Sequence, residues 1–212
     1  MLKLQVIVGS TRETRAADLV FPWVVDRARE HGGFEVELLD LRDWKLPFFQ
    51  ETRATIGDHA DPTYSEPIVR AWNKKIAEGD AYLIVTTEYN HSVPGELKNA
   101  LDSVFVSYAF RNKPVSAVAY ASAVAAGARA VEHLAMIMVE AEAVPLRNSV
   151  LIPKVAQAFG DDARPNDPMT EVAMSIVLED LAWYANALAR ARDEGELPPG
   201  SHRMQAAARA AR

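Results

Sequence analysis

The chain has 212 residues, 49% hydrophobic and 25% charged, which suits a single globular domain with a sizeable core. Its net charge of −6 and isoelectric point near 5.4 exclude an electrostatic nucleic-acid binder, which needs a basic face. With no cysteine, disulfides, thiolate nucleophiles, zinc–thiolate sites and iron–sulfur clusters are excluded, so any redox chemistry needs a bound organic cofactor or a non-thiolate metal.

The amino terminus is too short for a signal peptide and too interrupted to span a bilayer, so the expected location is cytoplasmic. Residues 4–8 read as a first buried strand. Gly9-Ser10-Thr11-Arg12-Glu13-Thr14-Arg15 follows, and a helix begins near Ala16 or Ala17 with Val20, Trp23, Val24 and Ala28 inward, stopping at Gly32-Gly33. Pro22 inside that helix predicts a late start or a kink. Strand, small polar loop and helix start together make an anion site, because the first helical N–H groups lack partners and carry partial positive charge. Ser10 and Thr11 can add hydroxyls, and Arg12 and Arg15 charge-assisted bonds; equally, the hydroxyls can cap the helix and the arginines be solvated. Gly9 opens neither G-x-G-x-x-G nor G-x-x-x-x-G-K-[ST], so dinucleotide fingerprint and P-loop are both absent.

Residues 34–41 predict a second strand, and 50–67 a long excursion in which His59, without a partner at metal spacing, reads as solvated; no metal site is expected. Helical pattern resumes over 67–76. Residues 81–85 form a strand buried on both faces, followed by a polar loop, Thr86-Thr87-Glu88-Tyr89-Asn90. Pro94 and Gly95 turn the chain into a helix in which Leu97, Leu101, Val104 and Tyr108 recur at helical spacing. Residues 114–120 are a fourth strand, and 121–127 a small-residue loop in which Ser122 and Gly127 let the backbone approach a flat ligand or simply pack tightly. A helix with Ala130, Leu134, Ile137 and Met138 follows, then a fifth strand over 143–152, broken at Pro145. The last long helix starts at Asp167-Pro168 and runs to about Ala191, with Val172, Ile176, Val177, Leu181, Tyr184 and Leu188 inward. Residues 1–193 therefore read as one domain and 194–212 as a partly ordered tail.

Alternating strands and helices imply an α/β, doubly wound three-layer sandwich. The loops after strands one, three and four meet at the switch point, where a mononucleotide with a flat head such as FMN fits. Glu88-Tyr89-Asn90-His91-Ser92-Val93-Pro94-Gly95-Glu96-Leu97-Lys98-Asn99-Ala100-Leu101-Asp102 resembles the signature of the NAD(P)H-dependent FMN reductase family, flavodoxin-like quinone, azo-dye and metal-oxyanion reductases among them. Gly9-Ser10-Thr11-Arg12 and Leu41-Arg42-Asp43-Trp44-Lys45-Leu46-Pro47 resemble two further segments of that family. The resemblance implies a flavodoxin-like five-stranded parallel sheet of order 2-1-3-4-5 and bound FMN, with NADPH or NADH as hydride donor and a small-molecule acceptor. Ser10, Thr11, Arg12 and Arg15 would hold the phosphate; Thr87, Glu88, Tyr89 and Asn90 would line the ring, and Ser122 and Gly127 would close the third side. No catalytic side chain is implied. Thr87 stands where the family usually has proline, and Ala126-Gly127 where it often has paired glycines.

The resemblance also implies a homodimer or homotetramer, with Val106 or Phe110 in a subunit contact or else in the core. A flavodoxin-type electron carrier and a non-enzymatic module share this architecture. A signalling receiver needs an aspartate where Thr86-Thr87 stands.

Overall fold

The computed structural model describes residues 1–52, 54–56 and 63–211; His59 lies outside them. The strands are β1 (Leu2–Val8), β2 (Phe34–Asp40), β3 (Ala81–Thr87), β4 (Pro114–Tyr120), β5 (Val144–Pro145) and β6 (Val150–Ile152). All pair in parallel in the order β2-β1-β3-β4-β5, and β6 also pairs with β4. The expected order is therefore present, and the fifth position is broken in two beside Pro145.

Strand alternation distributes the core. Leu4, Val6 and Val8 of β1 and Ala81, Leu83 and Val85 of β3 face α1 (Ala17–His31), whereas Ile7, Tyr82 and Ile84 face the other layer. That second layer is α3 (Pro67–Ala77), α4 (Gly95–Asp102) and α5 (Ala128–Glu140); α6 (Pro168–Gly195) lies beside α1. A four-residue helix, α2 (Leu41–Trp44), unexpected from the sequence, is capped by Asp40 accepting from the Arg42 N–H. The segment expected as a tail carries α7 (Gly200–Ala210), joined to the body through Ser201 Oγ and Tyr108 Oη at 2.8 Å.

Several local expectations are corrected. Helix α1 starts at Ala17 and continues through Pro22, so there is no late start. Thr86 and Thr87 belong to β3 and are buried. The α4 helix ends at Asp102, well short of Tyr108, because Val106 (φ 83°) and Tyr108 (φ 53°) turn left-handed. That conformation is strained for a β-branched residue. Here it buries Val106 against Ile56, Tyr64 and Val69, while Tyr64 Oη donates to the Phe105 carbonyl at 2.9 Å. Phe110 stacks edge-on to Tyr82. Both Val106 and Phe110 are thus buried in the core of the chain, the second of the two expectations for them. On α6 the buried face is Met174, Val177, Leu178, Leu181 and Ala185; Val172, Ile176 and Tyr184, expected inward, are exposed.

At the amino ends of the strands, Lys113 is buried, donating to the Ala77 carbonyl at 2.9 Å and Tyr82 Oη at 3.2 Å. Burial, helped by Arg192, pushes its ammonium down to about 8 against the pull of Asp80 and Glu196. The unfolded chain keeps its lysine charged to a higher pH, so above pH 8 it binds one more proton than the native state. Native stability should therefore rise by roughly 2–3 kcal/mol between pH 8 and 10, and be lost again as pH falls through 8. Urea unfolding across that range should show the rise in the wild type and a flat profile in Lys113→Met.

Candidate flavin site

The carboxyl ends of β1, β3 and β4 open onto a cavity of about 370 Å³. Of the residues expected at the site, Arg12, Arg15, Thr87, Glu88, Tyr89 and Ser122 line it. Ser10 is buried beneath, its Oγ 2.8 Å from Tyr89 Oη. Thr11 instead donates to Glu96 and lines a larger cavity of about 530 Å³ on the α2–α4 side, with Arg42, Lys45 and Phe48. Neither hydroxyl caps α1. Its first residue follows Ala16, which offers no side-chain cap; the Asp18 and Leu19 N–H groups turn back to the Arg15 and Ala16 carbonyls at 3.4 and 3.1 Å, which leaves the Ala17 N–H at the helix start for an anion.

Arg15 sits differently from a free phosphate ligand. Its Nε donates to Asp18 at 2.8 Å, Nη1 to the Ser10 carbonyl and to Asp40 Oδ1 at 2.6 Å each, and Nη2 to Asp40 Oδ2. Four of its five N–H groups are therefore used within the protein. Burial opposes the charge, yet the bonds to Asp40 and Asp18 outweigh it and hold the guanidinium above its ordinary value. Burial would likewise raise Asp40, but Arg15 and the Arg42 N–H hold it below the usual carboxylate range. Arg12, by contrast, is exposed and lies over the Tyr89 ring, 3.7 Å from its centroid.

The third-strand loop contains a turn that the sequence conceals. Tyr89 and Ser92 exchange backbone hydrogen bonds of 2.9 and 3.1 Å around Asn90 (φ 47°) and His91 (φ 74°), both left-handed, as in a type I′ turn. Asn90 thus shapes the loop, and so does Gly127 on the opposite wall, at φ 85°. A Cβ there would lie 2.9 Å from Ala119 Cβ and 3.3 Å from the Tyr120 nitrogen. Gly9 is equally constrained, since a Cβ would meet Leu97 Cδ2 at 2.9 Å. Lys98 pairs with Asp102, and Asn99 binds Pro47 O and Phe49 N, so both have anchoring roles.

Arg129, which the sequence gave no reason to single out, joins the two walls. From the first turn of α5 its Nη2 pairs with Glu88 Oε1 at 2.5 Å, and Nη1 meets His91 Nδ1 at 3.2 Å. A cation is unfavourable at a helix start, and α5 has no acid in its first turn, so Glu88 supplies the missing negative charge. The only sequence signal was a helix-start residue of the wrong sign. Six buried side-chain atoms lack a partner among the described residues, and three of them, Glu88 Oε2, Arg129 Nε and Tyr120 Oη, belong to residues lining the smaller cavity. The larger cavity has one, Arg42 Nε, so the smaller is the more strongly marked of the two as built for a polar ligand.

The model of a family described as NADPH-dependent FMN reductase matches residues 2–157. The chain belongs to that family. An NAD(P)H-dependent FMN reductase of Schizosaccharomyces pombe is 34% identical over 118 residues, 56% of this chain and 57% of that protein, so the chain spans little more than half its length. One from Pseudomonas aeruginosa is 28% identical over 159 residues, 74% of this chain and 81% of the relative. Among solved structures, FerB, a flavoenzyme NAD(P)H:(acceptor) oxidoreductase from Paracoccus denitrificans, superposes with a TM-score of 0.69 over 88% of this chain and 98% of its own, at 20% identity, a likeness of fold. Ala126, where the resemblance implied a second glycine, adopts φ 55°, the conformation a glycine takes without strain.

Gly127→Ala should destabilise the protein by roughly 1–3 kcal/mol, since it adds both a left-handed penalty and an overlap with β4. Chemical denaturation of the two proteins measures it; equal midpoints would mean that the α5 entry relaxes freely.

Proposed function

We propose that this chain is an FMN-dependent NAD(P)H oxidoreductase that passes hydride from NAD(P)H to a small acceptor. The observation that carries this reading is the uncapped start of α1 facing a cavity whose lining holds three unpartnered buried polar atoms. Bound FMN supplies two-electron chemistry to such a site.

The residues fit this cofactor in distinct roles. Arg12, the Ser10 hydroxyl and the first N–H of α1 would hold the phosphate, while Thr11, expected to join them, is held by Glu96 on the side of the larger cavity. Arg15 would retain one N–H for it while fixing the loop. Thr87, Glu88, Tyr89 and Ser122 would meet the flat head, with Asn90 shaping the loop and Gly127 setting the opposite wall. No side chain needs to move a proton, so the protein's task is to bind, orient and exclude water.

An Escherichia coli relative is named as a quinone reductase and a structural neighbour from Bacillus anthracis as an azoreductase. They support quinones and azo compounds as acceptor classes to test, beside the flavins and metal oxyanions that the resemblance of the signature implies. We further propose a cytoplasmic location, where NAD(P)H is supplied, and a homodimer or homotetramer.

An absorbance spectrum with added FMN, followed anaerobically on adding NADPH and then NADH, tests the reading. The flavin band should bleach within seconds and rank the donors. Flavin that binds and stays oxidised with both donors would indicate an electron carrier; no binding would defeat the proposal.

A further inference from the structure

Tyr120 lines the cavity but is not among the residues expected to hold the cofactor. Tyr120 ends β4, paired with Thr87 and Ile152, and its ring is packed in the α1–α6 core with 2% of its surface exposed. Its hydroxyl is sealed from solvent and has no hydrogen-bond partner. Tyr64, Tyr82, Tyr89 and Tyr108 all find partners for theirs, at 2.7–2.9 Å. Native proteins seldom leave a buried donor unpaired, because its lost hydration is not returned.

The position narrows what could satisfy it. Tyr120 lines the cavity together with Arg12, Thr14, Arg15 and Ala16, the residues between β1 and α1. The groups that act on it electrostatically are Tyr89, Arg15 and Asp18, at that same end. Burial first, then Tyr89, drives the phenol well above its ordinary value, so it stays protonated and can donate.

We propose that the Tyr120 hydroxyl is a further ligand of the phosphate group held at the start of α1, one that no local motif announces. The assignment rests on the cavity being the FMN site. A phenol added to Ser10 and Arg12 gives the phosphate a neutral donor from the opposite strand, so the anion would be gripped from both β1 and β4. The hydroxyl is sealed and unsatisfied in the free protein and would be satisfied in the bound one once the side chains over it give way to the phosphate, so its removal should have opposite effects on stability and on affinity.

Tyr120→Phe keeps the ring and deletes only the oxygen. Flavin-fluorescence titration should show FMN dissociating with a constant about 10- to 100-fold higher in the variant, the worth of a hydrogen bond to a charged group, while riboflavin, which lacks the phosphate, binds both proteins alike. Without ligand, the variant should melt no lower than the wild type. Unchanged FMN affinity would overturn the proposal, and an equal loss for riboflavin would move the hydroxyl to the ring or ribityl chain and overturn it too. A lower melting temperature would mean that the phenol is already bonded within the protein, with the same consequence. If the wild type binds neither flavin, the reading of the cavity itself fails, a result distinct from all of these.

Discussion

The structure turns on the buried pair of Arg15 and Asp40. Asp40 ends β2 and Arg15 closes the loop that leaves β1, so a single guanidinium joins the carboxyl ends of the two strands to the Ser10 carbonyl and, through Asp18, to the first turn of α1. Desolvating both charges is costly, and breaking such a pair by removing one partner typically costs about 3–5 kcal/mol, because the other is left stranded. That asymmetry makes the loop rigid. The positive charge nearest the helix start is thereby neutralised internally, and Arg12 remains as the exposed cation.

The other loops at this edge are held by the same kind of reach across sequence. Thr11 meets Glu96, Asn99 fastens the segment after α2, and Arg129 links the loops that follow β3 and β4. Each bond is modest. Together they fasten the loops at this edge into a polar layer above an apolar sheet, which is how flexible connections can present fixed donors and acceptors.

Most of the fold was legible because its signals are local: short β-branched runs for β1, β3 and β4, an αL glycine ending α1, Asp167-Pro168 opening α6. What escaped was decided elsewhere in the chain. The α4 helix stops early because Val106 finds a pocket formed with Tyr64, a contact that outweighs its helical spacing. The inward face of α6 was misphased because that helix is apolar on two sides and only packing against α1 and β4 chooses between them. The loops of the site were recognisable as a motif, but Arg15's engagement with Asp40 spans 25 positions and Arg129's with Glu88 more, and spacing alone cannot disclose either.

The broken fifth strand has a consequence for behaviour at high concentration. A sheet open at both ends invites another chain to add a strand, and this one ends on one side in a two-residue strand containing Pro145 and a separate three-residue strand. At its other end β2 carries Glu35 and Glu37, the latter paired with Lys75. One border is too short and interrupted to template growth, the other too charged. A sequence that is half hydrophobic is thus shielded from amyloid-like stacking at both borders of its sheet.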